Sequence, residues 1–300
     1  MLRKAGARPR YAAARAPGSG QQGAPREETM KRLLPVAVAA LAACALASTA
    51  AANGVKRLYA LDCGRQLVKD QSRWTPGLNV GQEKWFSNNC YLIQHERGTL
   101  LWETGVPDSV AQAKDGITVA NGAIVMFRDK TLVEQLASLG VKPDDLTFVA
   151  ISHAHGDHIG NAKAFAKPKI LMQKLEYEFA MKMIPKPLND GQTVQMLEGD
   201  HDVFGDGSVM ILSTPGHTPG HQVLLVKLPK TGALVLSGDL VHFQYMWDNK
   251  VVAPFNFNKD QSLASIERVA KVLAEHKGKL WIGHDKDNTD KVERAPKFYE

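Results

Sequence analysis

Residues 152–162 read SHAHGDHIGNA. Three of the chain's ten histidines and one aspartate, His153, His155, Asp157 and His158, fall within six positions. The stretch follows directly on LTFVAIS (146–152), an apolar run with the composition of a buried strand. Packing alone gives no reason to place four metal-competent side chains at the exit of such a strand. In an extended segment His153 and His155 point the same way and can grip one ion. Gly156 permits a tight turn, after which Asp157 and His158 face a second direction. Neutral imidazole and carboxylate suit zinc and similar divalent ions.

Working outward, the same placement recurs. His217 lies in TPGHTPGH (214–221), just past the strand-like VMILST (209–214). Asp239 ends ALVLSGD (233–239), and His284 sits in KLWIGHD (279–285). Each group leaves the C-terminal end of an apolar run, and loops leaving such rigid platforms carry function. If those ends share one edge, seven ligands converge. Three histidines on one ion with a shared or open fourth position is a catalytic geometry, and a carboxylate such as Asp239 can bridge two ions about 3.5–4 Å apart. His95, His201 and His276 read as ordinary hydrogen-bonded residues, and His221 as structural or supporting.

The remaining text supplies a frame. VKRLYALDC (55–63) reads as a strand, and NCYLIQH (89–95) with TLLWETG (99–105) as a hairpin about ERG. Residues 70–88 read as a long polar loop carrying Trp74, Trp85 and Phe86. DKTLVEQLASLG (129–140) is an amphipathic helix closed by Gly140, KILMQ (169–173) a strand, KLEYEFAMKMI (174–184) a helix, HQVLLVKL (221–228) a strand, and 259–276 a long helix. Strands in hairpins with helices at intervals predict two sheets covered by helices in one domain over 53–300.

Charge is uneven. Of the 37 Lys and Arg and 31 Asp and Glu behind the net charge of +6, residues 1–52 hold eight and two, leaving 29 of each for the body. A neutral body argues against a nucleic-acid partner, which needs a basic patch. From Met30 the chain reads MKRLLPVAVAALAACALASTAAANG. Lys31 and Arg32, an apolar stretch of about 15 residues and small residues near Ala50 to Asn53 make 30–52 a signal peptide, too short for a stable membrane span. Residues 1–29 are then a disordered extension or a mis-assigned start. LAAC ending at Cys44 resembles a bacterial lipoprotein box, the alternative to simple cleavage. The body is expected in the bacterial periplasm or outside the cell. There Cys63 and Cys90 could pair or stand as two buried small hydrophobes.

HAHGDH matches an H-x-H-x-D-H signature, and His217, Asp239 and His284 follow in the matching order. On these residues the chain resembles the metallo-β-lactamase superfamily over about residues 55–285. The resemblance implies an α+β fold, a four-layer αβ/βα sandwich with a two-metal site along one edge. It implies that His153, His155 and His217 hold one ion, that Asp157, His158 and His284 hold the other, and that Asp239 bridges them. Zinc fits these ligands, as would iron, manganese or cobalt.

Within that superfamily the β-lactamases lack a bridging aspartate matching Asp239. Glyoxalase II enzymes carry a C-terminal helical extension, whereas sixteen residues follow His284 here. Nuclease branches need a further domain and a basic surface. STPGHTPGHQVLLV, IGHD, CYLI, TLLWETG and SGDLVHF resemble the quorum-quenching N-acyl-homoserine lactonases. Methyl-parathion-hydrolase-like phosphotriesterases share TPGHTPGH and a GDLVH-like run, so a phosphotriesterase or broad arylesterase is the alternative. The expected substrate is a small ester or lactone, its carbonyl attacked by metal-bound hydroxide. No G-x-S-x-G nucleophile motif occurs.

Two residues are expected to act in catalysis. Asp157 could orient the nucleophile or shuttle a proton. His242 stands three residues after Asp239, where well-known lactonases carry a tyrosine that contacts the lactone carbonyl; an imidazole can donate there instead. Tyr245 lies nearby, off that offset. Trp74, Trp85, Phe86, Phe127, Phe243 and Trp247 are candidates for an acyl or aromatic pocket.

Overall fold

Side chains alternate along the central strands, apart from two register breaks in the first strand, and that alternation builds the layers. The computed structural model describes residues 54–184 and 186–300; the extension, the signal-peptide segment and Cys44 lie outside them. The strands β1 (Val55–Val68), β2 (Lys84–His95), β3 (Gly98–Trp102), β4 (Ile117–Val119), β5 (Ile124–Phe127), β6 (Phe148–Ala150), β7 (Lys169–Gln173) and β8 (Val194–Leu197) form one sheet, ordered β4-β5-β1-β2-β3-β6-β7-β8. The strands β9 (His201–Asp202), β10 (Val209–Ser213), β11 (Gln222–Leu228), β12 (Gly232–Leu236) and β13 (Lys279–Trp281) form a second, ordered β13-β12-β11-β10-β9. The helices are α1 (Leu132–Ser138), α2 (Lys174–Met183), α3 (Gln244–Asn249), α4 (Lys259–His276) and α5 (Lys286–Thr289).

Leu58 and Ala60 of β1 and Tyr91 and Ile93 of β2 meet Ile211, Leu224, Val226 and Leu234 between the sheets. Their neighbours Tyr59, Leu61, Cys90 and Leu92 point the other way, under Leu132 and Leu136 of α1 and Ala180 of α2. In the second sheet Val223, Leu225 and Val235 turn outward against Met246 of α3 and Ile266 and Val269 of α4. A period of two makes both faces of each sheet apolar, and only helix–sheet–sheet–helix packing buries all four. This is the expected four-layer α+β sandwich.

The reading of 70–88 as loop is corrected from Lys84 onward. Trp85 and Phe86 belong to β2 and pair with Leu67 and Gln66 of an extended β1. Polar residues at 87–89 masked the strand; Asn88 bonds Asp157 of the site described below, and Ser87 and Asn89 both bond Gly283 O. The short β4, β5 and β8 and the helix α3 carried no readable period. Cys63 and Cys90 are joined in a disulfide with Cα atoms 5.6 Å apart. Closing a loop of this length contributes about 3.5 kcal/mol by restricting the unfolded chain.

Gly105 follows β3 with φ +71°, and a Cβ there would lie 2.4 Å from Cys63 Cβ and 2.8 Å from the Cys63 carbonyl oxygen. Both the left-handed backbone and the contact require glycine. Gly105→Ala is expected to cost at least about 2 kcal/mol, roughly 5 °C in melting temperature, checked by thermal unfolding.

Candidate metal centre

Strand direction brings the ligand-bearing loops together. β10 and β12 both run antiparallel to β11, so they are parallel to each other, and β13 is parallel to β12. Their C-terminal ends therefore leave one edge of the second sheet. β6 belongs to the other sheet. Gln222, opening β11, joins it to that edge: its N–H donates to Ser152 O at 3.0 Å and its side-chain amide to Ile151 O at 2.9 Å.

All seven predicted ligands meet there. His155 Nδ1 lies 2.9 Å from His153 Nε2 and 3.0 Å from His217 Nε2. Asp239 Oδ2 lies 3.6 Å from the first and 3.3 Å from the second of those Nε2 atoms. On the other side, His158 Nε2 and His284 Nε2 are 3.3 Å apart. Asp157 Oδ2 stands 3.5 and 3.4 Å from them. Asp239 Oδ1 stands 3.1 and 3.0 Å from the same pair. One carboxylate thus gives one oxygen to each cluster. Four ligands at zinc–nitrogen distance in a tetrahedron would be about 3.3 Å apart, close to these separations. Asp239 Oδ1 is buried and receives no hydrogen bond. An anionic oxygen so placed is costly unless a cation compensates it.

Outer partners set the tautomers, as is usual around ligating imidazoles. His217 Nδ1 donates to Asn256 Oδ1 at 3.0 Å, and Asn256 is oriented by its own amide donating to Ser262 Oγ. His284 Nδ1 donates to Ser87 O at 2.8 Å. Both rings therefore turn Nε2 inward. His153 Nδ1 meets Ser152 Oγ at 2.9 Å, and His158 Nδ1 lies 3.3 Å from Glu103 Oε1. His221 is a supporting residue: its Nε2 accepts the Asp239 N–H at 2.9 Å while its Nδ1 donates to Thr214 O at 3.1 Å.

Comparison with known proteins identifies the family. The sequence pattern of the metallo-beta-lactamase superfamily matches residues 84–275. The chain belongs to that superfamily. An N-acyl homoserine lactonase of a Bacillus species is 33% identical over 243 residues, 77% of this chain and 94% of that protein. Another from Bacillus thuringiensis is 31% identical over 256 residues, covering 81% and 99%. A solved N-acyl homoserine lactone hydrolase with N-hexanoyl-L-homoserine at its catalytic metal centre superposes with a TM-score of 0.73 at 30% identity, covering 82% of this chain and 99% of that one.

Burial and the two aspartates set the charge states in this metallo-beta-lactamase-superfamily site. Burial pushes the pKa values of His153, His155 and His217 down, so these imidazoles are neutral ligands. Burial also opposes charge on His158 and His284, but Asp239 and Asp157 outweigh it and raise both. Burial resists ionisation of the two aspartates. His158 and His284 prevail, holding Asp157 at about 2 and Asp239 well below the carboxylate range.

His242 joins the cluster, its Nε2 3.2 Å from Asp239 Oδ2 and its ring stacked on His284 at 5.4 Å. Its Nδ1 is buried without a partner. Of the aromatic candidates, Trp74 and Phe86 lie 6.2 Å from the His242 ring. Phe243 packs behind Phe86. Trp85 and Phe127 pair with each other at 5.4 Å beside Arg65, and Trp247 packs in the outer core. Phe255, about half exposed, completes the wall with its ring 5.6 Å from Trp74.

Sequence reading missed Phe255, Gln66, Asn88, Glu103 and Glu176. Glu176 is fully buried and ties two ligand loops together, accepting from Ala154 N at 2.7 Å, Thr218 Oγ1 at 2.6 Å and Gly220 N at 3.0 Å. Nothing local in KLEYEF distinguishes it from a surface glutamate.

Burial lowers the His221 pKa from 6.5 to about 4. Between those values the unfolded chain binds the proton and the folded chain does not, so stability falls as pH falls. The contribution is complete above about pH 6.5 and is lost toward pH 4, about 3 kcal/mol in all. Denaturant unfolding of metal-free protein across that window should show a loss that His221→Gln reduces by this amount.

Proposed function

We propose that this metallo-beta-lactamase-superfamily hydrolase opens the ring of N-acyl-homoserine-type lactones. The observation that carries the reading is the Asp239 carboxylate divided between two histidine clusters beneath an aromatic wall. The lactonase relatives, matched over nearly their whole length, support the substrate class. His153, His155 and His217 would hold one ion, Asp157, His158 and His284 the other, and Asp239 both. Two divalent ions there, zinc by the character of the donors, would supply hydroxide at neutral pH and polarise a carbonyl.

The chain's own residues do the rest. Neutral His153, His155 and His217 and the two ionised aspartates are ready as ligands at pH 7, whereas His158 and His284, whose pKa values the aspartates raise, would release their protons on binding a cation. Gln66 and Asn88 hold Asp157 where it can orient a nucleophile. His242 turns Nε2 to Asp239 Oδ2 and leaves Nδ1 without a partner; it would donate to a substrate oxygen in the tautomer that carries the proton on Nδ1, with a cation taking its place against Asp239. Trp74 and Phe86, both buried, exclude water behind it, and the half-exposed Phe255 offers apolar surface to an acyl chain, at about 0.8 kcal/mol per buried methylene. Export is part of the proposal, supported by the signal-type segment and by a disulfide, which persists in oxidising compartments. Among the described residues no helix is long and apolar enough to cross a membrane.

Asp239→Asn and His155→Ala should each lower kcat/KM for an acyl-homoserine lactone by more than about a hundredfold while circular dichroism stays unchanged. A chelator should abolish wild-type activity. A panel adding a phosphotriester and an aryl ester tests the alternative, and faster turnover of either would replace the lactonase reading. His242→Phe should reduce kcat by about a hundredfold with little change in KM, the usual effect of removing one transition-state hydrogen bond. His242→Tyr should retain most of the rate. Wild-type kcat in the phenylalanine variant would exclude a role for His242.

A further inference from the structure

The two clusters share Ser152, whose Oγ also lies 3.3 Å from His158 Nδ1, but otherwise lean on different parts of the fold. Around His153, His155 and His217 the outer partners are Ser152, Asn256 and, through backbone amides, Glu176, none of them on β1 or β2. Asp157 and His284 lean on β1 and β2. Asp157 Oδ2 accepts from Gln66 Nε2 at 2.8 Å and Asn88 Nδ2 at 3.1 Å, and Gln66 Nε2 also donates to Asn88 Oδ1 at 3.0 Å. His284 Nδ1 donates to Ser87 O at 2.8 Å, and the Asn89 amide donates to Gly283 O at 2.7 Å.

Gln66 reaches Asp157 only because of a step in strand register. Asp62 pairs with Asn89, but Arg65 pairs with Ser87, so Cys63 and Gly64 together face the single residue Asn88. In an unbroken strand Gln66 would share the inter-sheet face of Leu58 and Ala60. The extra residue reverses the alternation and turns Gln66 onto the side of Asn88 and Cys90. The disulfide sits at this step, with Cys63 in the bulge and both cysteines fully buried.

We propose that Gln66 and Asn88 are positioning residues for Asp157, and that the Cys63–Cys90 disulfide locks the register that aims them. The staple then secures the Asp157–His158–His284 position in preference to the His153–His155–His217 position. This rests on reading the clusters as two metal positions.

The test counts bound zinc per chain in the zinc-loaded protein dialysed against graded chelator. Wild type should hold two ions. Cys63→Ala/Cys90→Ala, verified as folded by circular dichroism, should release one ion at a roughly 10- to 100-fold lower chelator concentration and keep the other as wild type does. Adding Asp157→Ala should weaken that ion no further than Asp157→Ala alone, since coupled residues are not additive. Unchanged release, or equal weakening of both ions, overturns the proposal. If the double variant does not fold, Gln66→Ala, which keeps the disulfide, decides: selective weakening of one ion supports the positioning role, and unchanged release refutes it. A wild type that never holds two ions sinks the metal reading itself, a result distinct from all of these.

Discussion

A carboxylate buried where no hydrogen bond reaches one of its oxygens is a constraint that the surroundings must meet. Asp239 is in that position, 4% exposed, with Oδ1 facing His158 and His284 and Oδ2 facing His153 and His217. Left alone it would cost several kcal/mol. The arrangement is stable as a place for positive charge, and the fold is organised to keep it so. His221 fixes the Asp239 backbone from behind, and Gly238 turns with φ +47° where a side chain would strike Ser152 and His221.

That constraint explains why the sandwich has its particular directionality. β10, β12 and β13 run the same way, so their exits coincide, and β6 is drawn across from the other sheet by Gln222. The apolar layers behind do not distinguish this site from any other chemistry. They give the four exits a rigid base from which the loops present their side chains. Glu176 shows the expense accepted for that rigidity. A carboxylate fully inside the protein has its pKa raised by burial despite three hydrogen bonds, and in return it fastens the His153–His155 loop to the His217 loop.

Support is uneven between the two halves of the centre. One is held by Ser152, by Glu176 of α2 and by Asn256, none of them on β1 or β2. The other depends on the edge where β1 and β2 pass the site, on a bulge and on a disulfide. The aromatic wall stands over the seam between them, with His242 beneath it and Phe255 at its rim.

The histidine and aspartate ligands were legible because chemistry restricts them. No packing requirement places HAHGDH after a buried strand, and each later ligand stood at the end of an apolar run whose period marked it as a strand. The alternation of Leu58, Ala60, Tyr91 and Ile93 with their neighbours likewise determined a two-sheet sandwich. The supporting residues were not legible. Gln66, Asn88, Glu103, Glu176 and Phe255 are of ordinary types in ordinary spacing. Their roles depend on a one-residue slip of β1 against β2, on which strand ends share an edge, and on burial contributed by distant segments. Local sequence therefore determined which atoms could bind a cation. Only the tertiary structure decided which side chains hold those atoms in place, because hydrogen-bond partners separated by as many as 197 residues are chosen by register and packing rather than by neighbours along the chain.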